Sequence, residues 1–320
     1  MRIVALVPGG IGNQILFFPT LDHLQQSYPE AQIDVVVEPQ AKGAYRVSKS
    51  VGEVLAFDFK DRNGMADWGN LLGVLRDREY DVAIYSDSAS VTTAIRRWGI
   101  GFLLWLTGIP TRIGYAGSGV SIFFTNQVPL KTEQYVGDKY HDLLQGLEIY
   151  SPAPALAVRV PKSDIDWAET QQKKLGIANG YILIDSGVKD SGDGYPTKKW
   201  LQIIQDIQTR QPNLPIAAVQ SAENRESVAE LLQSFPTLKV ISPEDIGKLA
   251  AIIASANLLL TTNSDRLSLA VAVGTYTISL LGGKDLKQVL PPSDRLRTIQ
   301  SPTGAIADIA PQDVLEQIWK

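Results

Sequence analysis

Three polar turns follow apolar runs and carry the residues that could do chemistry. The first turn follows the run at residues 2–7 and consists of Gly9, Gly10, Ile11, Gly12, Asn13 and Gln14. Glycines let a backbone approach a ligand closely, and Asn13 or Gln14 can cap a helix or hydrogen-bond a sugar. Because the spacing is not GxGxxG, a tight strand-to-helix turn without a ligand explains this turn equally well.

The second turn is a long polar loop at residues 185–200 that leads into a predicted helix. It places lysines beside a glycine-rich backbone. The candidate residues of this loop are Ser186, Gly187, Lys189, Lys198 and Lys199. Lysine side chains and free backbone amides together can hold a diphosphate without a metal. A solvated surface loop is the alternative, since lysine is a common surface residue.

The third turn joins a buried strand at residues 258–262 to a helix and a second strand at 277–281. Its residues are Asn263, Ser264, Asp265, Arg266, Leu267 and Ser268. Parallel sheets bind ligands outside the carboxyl ends of their strands, and the amides at a helix N-terminus favour anions such as a diphosphate. A fourth candidate, Glu223 with Ser221, follows the strand at 216–219 and would either contact a nucleotide or cap the next helix.

Strand-like and helix-like segments alternate along the chain, which predicts two doubly wound parallel sheets. The first series occupies residues 1–158, a linking helix is expected in 159–178, and the second series occupies 179–320. A last helix at 311–319 carries Val314, Leu315, Ile318 and Trp319 on one face, and in two-domain chains of this plan such a helix often returns to the first domain.

Composition excludes several classes of function. A net charge of −4 at 320 residues argues against a nucleic-acid surface. With no cysteine and only His23 and His141, we expect no bound metal and no cofactor. The longest apolar run, at 98–109, is too short to cross a bilayer and predicts a core helix, with a membrane-facing patch as the alternative. No signal peptide is visible, so we expect a cytoplasmic monomer.

Taken in order, these blocks resemble glycosyltransferase family 9, the heptosyltransferases. The further blocks of the resemblance are RIGY at 112–115, His141 in a predicted helix, YPTKKW at 195–200, ASANLLLT at 254–261 and SLAVAVGTYTISLLG at 268–282. The resemblance implies a GT-B fold: two Rossmann-like domains facing a central cleft, with the acceptor on the first and a nucleotide-sugar donor on the second. It also implies that the sugar is transferred with inversion and without a metal. The acceptor would be a glycan or glycolipid of lipopolysaccharide or of another cell-envelope glycan, and the cytoplasmic protein would work at the inner face of the membrane.

The resemblance also assigns roles to residues. Lys198 and the amides around Ser264 and Leu267 would hold the donor diphosphate, Asn263 would contact the donor sugar, and the turn from Gly10 to Asn13 would face the reacting centre.

Four positions depart from the family pattern. Asn13 stands where the family usually has an Asp, the proposed general base, and Asn cannot take a proton near neutral pH. Asn263, Asp265 and Ser268 stand where the family has Asp, Gly and His. We therefore consider Asp87, just beyond the strand at 82–85, as the catalytic base, with a solvated loop acid as the alternative. A catalytically inactive binding protein with the same fold is the competing hypothesis.

Overall fold

The computed structural model describes residues 1–59, 64–87, 92–117, 119–187, 194–262, 264–283, 288 and 290–320. Contacts divide the chain into two compact units, Met1–Ala157 and Val158–Lys320. Within its described part, each unit is built on a six-stranded sheet whose neighbouring strands are all parallel, as in the two Rossmann-like halves of a GT-B fold.

The first unit has its strands in the order β3-β2-β1-β4-β5-β6. Their bounds are β1 Arg2–Val7, β2 Gln32–Val37, β3 Val54–Ala56, β4 Val82–Tyr85, β5 Thr111–Tyr115 and β6 Asn126–Val128. Its helices are α1 Ile11–Ser27, α2 Met65–Asp77, α3 Ala94–Thr107 and α4 Val136–Asp142, with 3-10 turns at Pro39–Val47, Ser121–Phe123 and Leu143–Leu147. The inner strands β1 and β4 are buried along almost their whole length, because helices cover both faces of the sheet.

The second unit repeats this plan in the order β12-β11-β10-β7-β8-β9. Its strands are β7 Ile182–Asp185, β8 Ile216–Val219, β9 Lys239–Ile241, β10 Leu258–Thr261, β11 Thr277–Leu281 and β12 Leu296–Gln300. Its helices are α5 Lys162–Leu175, α6 Thr197–Arg210, α7 Arg225–Ser234, α8 Ile246–Ala254, α9 Ser264–Val273 and α10 Pro311–Ile318.

Each sheet reverses its direction of growth beside its first strand. In the first unit the chain adds β2 and β3 on one side of β1 and then β4, β5 and β6 on the other. In the second unit β8 and β9 lie on one side of β7, and β10, β11 and β12 on the other. The gaps between β1 and β4 and between β7 and β10 are therefore switch points, where a doubly wound sheet opens a crevice for ligands.

Three predicted features differ from the structure in detail. The expected linking helix, α5, packs against α8 and is part of the second unit, with Ala168 buried in that contact. The last helix, α10, packs on α6 in its own unit and places Val314 and Leu315 in the second core.

The apolar run at 98–109 forms a helix, as predicted, but only one face of α3 enters the core. Ile100, Leu103 and Leu104 are buried, whereas Trp98 and Trp105 are exposed. An apolar run by itself does not reveal that only half of its helix meets the sheet.

Candidate active site

The glycine turn of the first unit lies at the switch point between β1 and β4. Leu6 pairs with Tyr85, so the turn after β1 and the residues after β4 leave the sheet at the same edge. Gly9 has φ +112°, and a Cβ on it would come within 2.6 Å of Cγ of Asn13. A side chain at position 9 is therefore excluded twice, by the backbone conformation and by the close approach of Asn13.

Gln14 is buried and stabilises this turn. Its Nε2 donates to the carbonyl oxygens of Val7 at 2.9 Å and Gly9 at 3.2 Å, while its Oε1 accepts from the Tyr45 hydroxyl at 2.8 Å. Both amide hydrogens and the carbonyl are thus occupied inside the protein. Gln14 acts on any ligand only through the shape of the turn.

The other predicted residues of this turn are Gly10, Ile11 and Gly12. Gly10 is the N-cap of α1 and provides no side-chain hydrogen bond, and the first turn of α1 has no acidic residue. Gly10 and Ile11 are partly exposed, whereas Gly12 is buried. The first amides of α1 are therefore not satisfied by a side-chain cap, which leaves them available to a polar ligand group.

Asn13 joins a group of buried tyrosines. Its Nδ2 donates to the Tyr140 hydroxyl oxygen at 3.0 Å. Burial raises the pKa of Tyr140 to about 12; the hydrogen bond from Asn13 opposes this shift, and the negative charge of Asp87 adds to it. Tyr140 therefore stays protonated at neutral pH. Because Asn13 uses the hydroxyl as an acceptor, the Tyr140 proton can be donated to another group.

Asp87 belongs to the same group and is only 4% exposed. Its Oδ2 accepts from the Tyr85 hydroxyl at 3.3 Å and from the Thr92 hydroxyl. Its charge also reaches Tyr115, whose pKa burial raises well above the usual value. The structure thus places Asp87 at the carboxyl edge of the first sheet, where hydroxyl groups fix the orientation of the carboxylate.

The switch point of the second unit contains a buried ion pair. Arg266, in the first turn of α9, pairs with the Asp185 carboxylate at the end of β7, and both side chains are largely inaccessible, at 15% and 0% exposed. Thr261, at the end of β10, donates its hydroxyl to Asp185 at 2.9 Å. Burial lowers the pKa of Arg266 to about 10, so the guanidinium remains charged at neutral pH. The pair ties β7, β10 and α9 together.

The remaining donor-side residues surround this pair. Ser186 and Gly187 follow β7 and are buried, and Gly187 has φ +72°. Leu267 and Ser268 are buried in α9, and Asp265 is partly exposed. Asn263 and Lys189 lie outside the described residues, as does the side chain of Ser264.

Two adjacent lysines at the start of α6 have different environments. Lys199 Nζ donates to the carbonyl oxygens of Ala307 at 2.7 Å and Ile309 at 2.9 Å. Lys198 is exposed and makes no hydrogen bond or ion pair with the described part of the chain. The N-cap Pro196 provides no side-chain hydrogen bond, and the first turn has no acidic residue. Lys198 therefore stands beside uncapped amides at the carboxyl edge of the second sheet.

The turn after β8 is organised by a residue that the sequence analysis did not single out. Asn224 is buried, accepts from the Ser221 amide at 2.7 Å and donates to the Val219 carbonyl at 2.8 Å. Glu223 is exposed beside it. Asn224 is also the N-cap residue of α7 and makes no side-chain cap hydrogen bond, so Ser221 is bound to Asn224 and does not cap the helix.

Sequence reasoning missed Tyr140 and Thr262. Tyr140 lies far along the chain from Asn13, and no local spacing connects the two. Thr262 directly follows β10, is 4% exposed, and its hydroxyl has no hydrogen-bond partner in the described structure. A polar residue at the end of an apolar strand was the available signal for Thr262.

Within the described ranges, no group of three His, Asp or Glu side chains is placed to hold a metal ion. No described helix has the length and hydropathy that crossing a bilayer requires.

The fold and these edges define the chain as a two-unit protein of the GT-B class. Residues 68–318 match Glycosyltransferase family 9 (heptosyltransferase). The protein belongs to glycosyltransferase family 9, and this membership supports a glycosyltransferase enzyme.

Known proteins similar to this chain include heptosyltransferases and a protein of a different kind. The structure resembles "Structure of E. coli ADP-heptose lps heptosyltransferase II" with a TM-score of 0.80 and 19% identity, over 99% of this chain and 97% of that one. It also resembles "E. coli heptosyltransferase WaaC with ADP-2-deoxy-2-fluoro heptose", with a TM-score of 0.76 and 16% identity, over 100% and 99% of the two chains. A curated relative of another kind is "Photosynthetic NDH subunit of subcomplex B 1, chloroplastic" of Arabidopsis thaliana, 21% identical over 96% of this chain and 71% of the relative.

Proposed function

We propose that this protein transfers a sugar, heptose or a similar one, from a nucleoside-diphosphate donor to a hydroxyl group of a glycan or glycolipid acceptor. The transfer inverts the anomeric centre, needs no metal, and takes place in the cytoplasm at the inner face of the membrane with the protein as a monomer. The observation that carries this proposal is the coincidence of both predicted motif sets with the two sheet switch points. Every strand-to-helix turn of such a sheet lies at the carboxyl edge, and the switch point is the place on that edge where the sheet opens a crevice for a ligand.

The donor diphosphate is assigned to the second unit. Arg266 already compensates Asp185, so its charge is shared. We therefore assign the main cationic contact to Lys198, supported by the uncapped amides of α6 and by the Thr262 hydroxyl. The heptosyltransferase of similar fold whose structure contains an ADP-heptose analogue supports a nucleotide sugar as the donor class.

The acceptor is assigned to the first unit, with Asp87 as the base. In a single displacement, the Asp87 carboxylate takes the proton of an acceptor hydroxyl while the oxygen of that hydroxyl attacks the anomeric carbon of the donor sugar. The bond from that carbon to the diphosphate breaks, and the nucleoside diphosphate leaves with the bonding electrons. Lys198 and backbone amides stabilise the charge that develops on the leaving group, which replaces the role a divalent metal plays elsewhere.

The experiment that tests the function has two stages. Calorimetry with nucleoside diphosphates and sugar nucleotides, starting with ADP and ADP-heptose, measures whether the donor site binds. Incubation of a binding donor with glycan and glycolipid acceptors, analysed by mass spectrometry and NMR, then detects transfer and anomeric configuration. We expect binding and transfer to be unchanged in EDTA. Failure to bind any sugar nucleotide would contradict the proposal, and loss of transfer in EDTA that Mg²⁺ restores would contradict its metal-free form.

A second candidate is a glycosyltransferase-like binding protein without transfer activity. Two observations favour it: Asn13 stands in place of a carboxylate and is held by Tyr140, and the Arg266 charge is used internally by Asp185. The relative described as an NDH subunit shows similarity along 96% of this chain. Donor binding without transfer to any acceptor, or no donor binding at all, would favour this candidate.

A further inference from the structure

Three side chains of the first unit form a chain of hydrogen bonds that the proposed sugar transfer does not use. The Ser151 Oγ lies 3.0 Å from Nε2 of His23, and Nδ1 of His23 lies 2.7 Å from Nε2 of His141. His23 is in α1, about 15 Å along the helix from Asn13, so this group is separate from the glycine turn. We call Ser151, His23 and His141 the serine–histidine chain.

A hydrogen bond joins the two imidazole rings of this chain. Their planes are nearly parallel, at 20°, and their centroids are 5.0 Å apart. Because the two nitrogens are closer than rings in a stack can be, one proton must lie between them. Burial lowers the pKa of His141, and the neighbouring His23 adds to this shift, so His141 is uncharged at neutral pH and can accept the hydrogen bond. His23 then carries its proton on Nδ1 and presents an unprotonated Nε2 to the Ser151 hydroxyl.

Ser151 is exposed and follows a sharp turn of the backbone. Glu148 has φ +61°, in the left-handed region that residues other than glycine rarely adopt, and it ends the 3-10 turn Leu143–Leu147. The chain after this turn brings the Ser151 hydroxyl to His23, whose other nitrogen contacts the buried His141. An exposed hydroxyl, a base at hydrogen-bonding distance and a third group that orients the base are the parts of an activated serine.

A cavity of about 280 Å³ lies beside this chain and is lined by both Ser151 and His141. Asp138 and Asp142 also line it. Lys131 pairs with Asp142 at 2.9 Å, whereas burial and the charge of Asp142 raise the pKa of Asp138. The cavity therefore has space for a small molecule, and its carboxylates favour one that carries a positive charge.

We propose that Ser151 is a nucleophile that hydrolyses small esters of cationic alcohols or thiols, with His23 as its general base and His141 as the residue that positions His23. The Ser151 oxygen attacks the carbonyl carbon of the ester while Nε2 of His23 takes the hydroxyl proton. The bond from that carbon to the alcohol breaks, and the alcohol leaves with the proton from His23. Water, deprotonated by His23 in the same way, then releases the acid and restores Ser151. This activity is independent of sugar transfer.

A fluorophosphonate probe tests the nucleophile without a sugar donor. We expect the probe to label the full-length wild-type protein, with peptide mass spectrometry placing the adduct on Ser151. His23→Gln should slow this labelling about 10²-fold or more, as the loss of a general base does. His141→Leu should slow it about tenfold, the effect of one lost hydrogen bond. His141→Gln, whose side-chain oxygen can still accept from His23, should recover most of the rate.

The matched control is Ser163→Ala in the second unit. Ser163 is exposed at the start of α5, and its Oγ lies 3.5 Å from an Asp164 oxygen and not beside an imidazole. We expect wild type to carry no adduct on Ser163, and Ser163→Ala to be labelled on Ser151 as fast as wild type.

Two thioesters of equal shape test the substrate class. Acetylthiocholine and its uncharged carbon analogue, 3,3-dimethylbutyl thioacetate, release a thiol that a thiol reagent detects, and the chain itself has no cysteine to react with that reagent. We expect kcat/KM to be about fivefold higher for the cationic thioester, the effect of one partly exposed charge pair. Asp138→Asn should remove this preference, and Ser151→Ala should turn over neither thioester.

Four outcomes overturn the proposal or one of its parts. No labelling of Ser151, or equal labelling rates in wild type and His23→Gln, would show that the serine–histidine chain only fixes the segment after Glu148. Labelling of Ser151 without turnover of either thioester would overturn the hydrolysis, and equal kcat/KM for the two thioesters would overturn the preference for a cation.

Discussion

The two switch points have the same topology but opposite ways of holding a carboxylate. At the first, Asp87 accepts hydrogen bonds from the hydroxyls of Tyr85 and Thr92 among buried tyrosines. At the second, Asp185 is paired with the Arg266 guanidinium and receives the Thr261 hydroxyl. The first carboxylate is oriented by neutral hydroxyl groups, whereas the second is paired with a buried cation and holds three elements of its unit together.

This difference suggests why one fold can serve two tasks at equivalent edges. In the proposed function, Asp87 of the first unit is the base that acts on the acceptor. The second unit neutralises its own acid and leaves an exposed lysine and uncapped amides, as an anionic donor requires. The predictions below follow from this contrast, from the largest expected effect to the smallest.

The first prediction removes the cation of the buried Arg266–Asp185 pair. Arg266→Met leaves Asp185 buried and uncompensated, and we expect the free energy of unfolding to fall by about 3–5 kcal/mol. Urea denaturation measures this loss. The double variant Arg266→Met/Asp185→Asn should recover most of the stability, because Asn carries no charge and still accepts from Thr261.

A matched control uses the exposed pair of Lys131 and Asp142, whose side chains are 58% and 15% exposed at an N–O distance of 2.9 Å. Lys131→Met should cost no more than about 1 kcal/mol. Similar losses in Arg266→Met and Lys131→Met would show that the Arg266–Asp185 pair does not carry the structural role given to it.

The second prediction removes the proposed base, Asp87. Asp87→Asn should lower turnover by about 10²–10⁴-fold, the usual contribution of a general base, with donor affinity unchanged. Single-turnover transfer and donor calorimetry measure the two quantities separately. Full turnover in the variant would place the base elsewhere, and loss of donor binding would mean that Asp87 acts through the fold.

The third prediction introduces a carboxylate at position 13. Asn13→Asp should increase transfer, by about tenfold or more if the rest of the site is competent. The structure can accommodate the change, because Tyr140 remains protonated at neutral pH and can donate to the new carboxylate. If turnover is unchanged in both Asn13→Asp and Asp87→Asn, and no sugar nucleotide binds, the binding-protein candidate is favoured.

The fourth prediction compares two neighbouring lysines. Lys198→Ala should weaken binding of a nucleoside diphosphate by about tenfold or more without changing the melting temperature, since a charge-assisted contact contributes about 1.5–3 kcal/mol. Lys199→Ala should do the reverse, because Lys199 holds the carbonyls of Ala307 and Ile309. Unchanged affinity in Lys198→Ala removes this residue from the donor site.

The fifth prediction concerns pH and has the smallest effect. Burial lowers the pKa of His141 from 6.5, and His23, whose Nδ1 lies 2.7 Å from His141 Nε2, adds to the shift. Below about pH 6.5 the unfolded chain therefore binds a proton that the folded chain resists, so the stability is present above this pH and is lost as the pH falls. Between about pH 8 and about pH 5, the melting temperature of wild type should fall by about 3 °C more than that of His141→Gln. Parallel curves would show that His141 does not titrate with unfolding.

The sequence predicted the inner strands closely and missed three of the four strands at the sheet edges. β1, β4, β8 and β11 have the predicted bounds, because each is a mainly apolar run of four to six residues. The three missed strands are β3, β6 and β12, which are at or next to sheet edges and are partly exposed. Such strands bury too few side chains to leave an apolar run in the sequence, and only pairing with a neighbour defines them.

In the candidate site, too, some features follow from the local sequence and others depend on contacts between distant residues. The turn of Gly9 and the helix start beside Lys198 follow from residue types within a few positions, because backbone conformation and helix capping are local properties. The pairing of Asp185 with Arg266 and of Asn13 with Tyr140 joins residues 81 and 127 positions apart. Only the tertiary structure decides these contacts, because the strand order that brings them to one edge depends on how whole strands and helices pack. The sequence alone thus determined which side chains could do chemistry, and the packing of the sheets decided which of them are available.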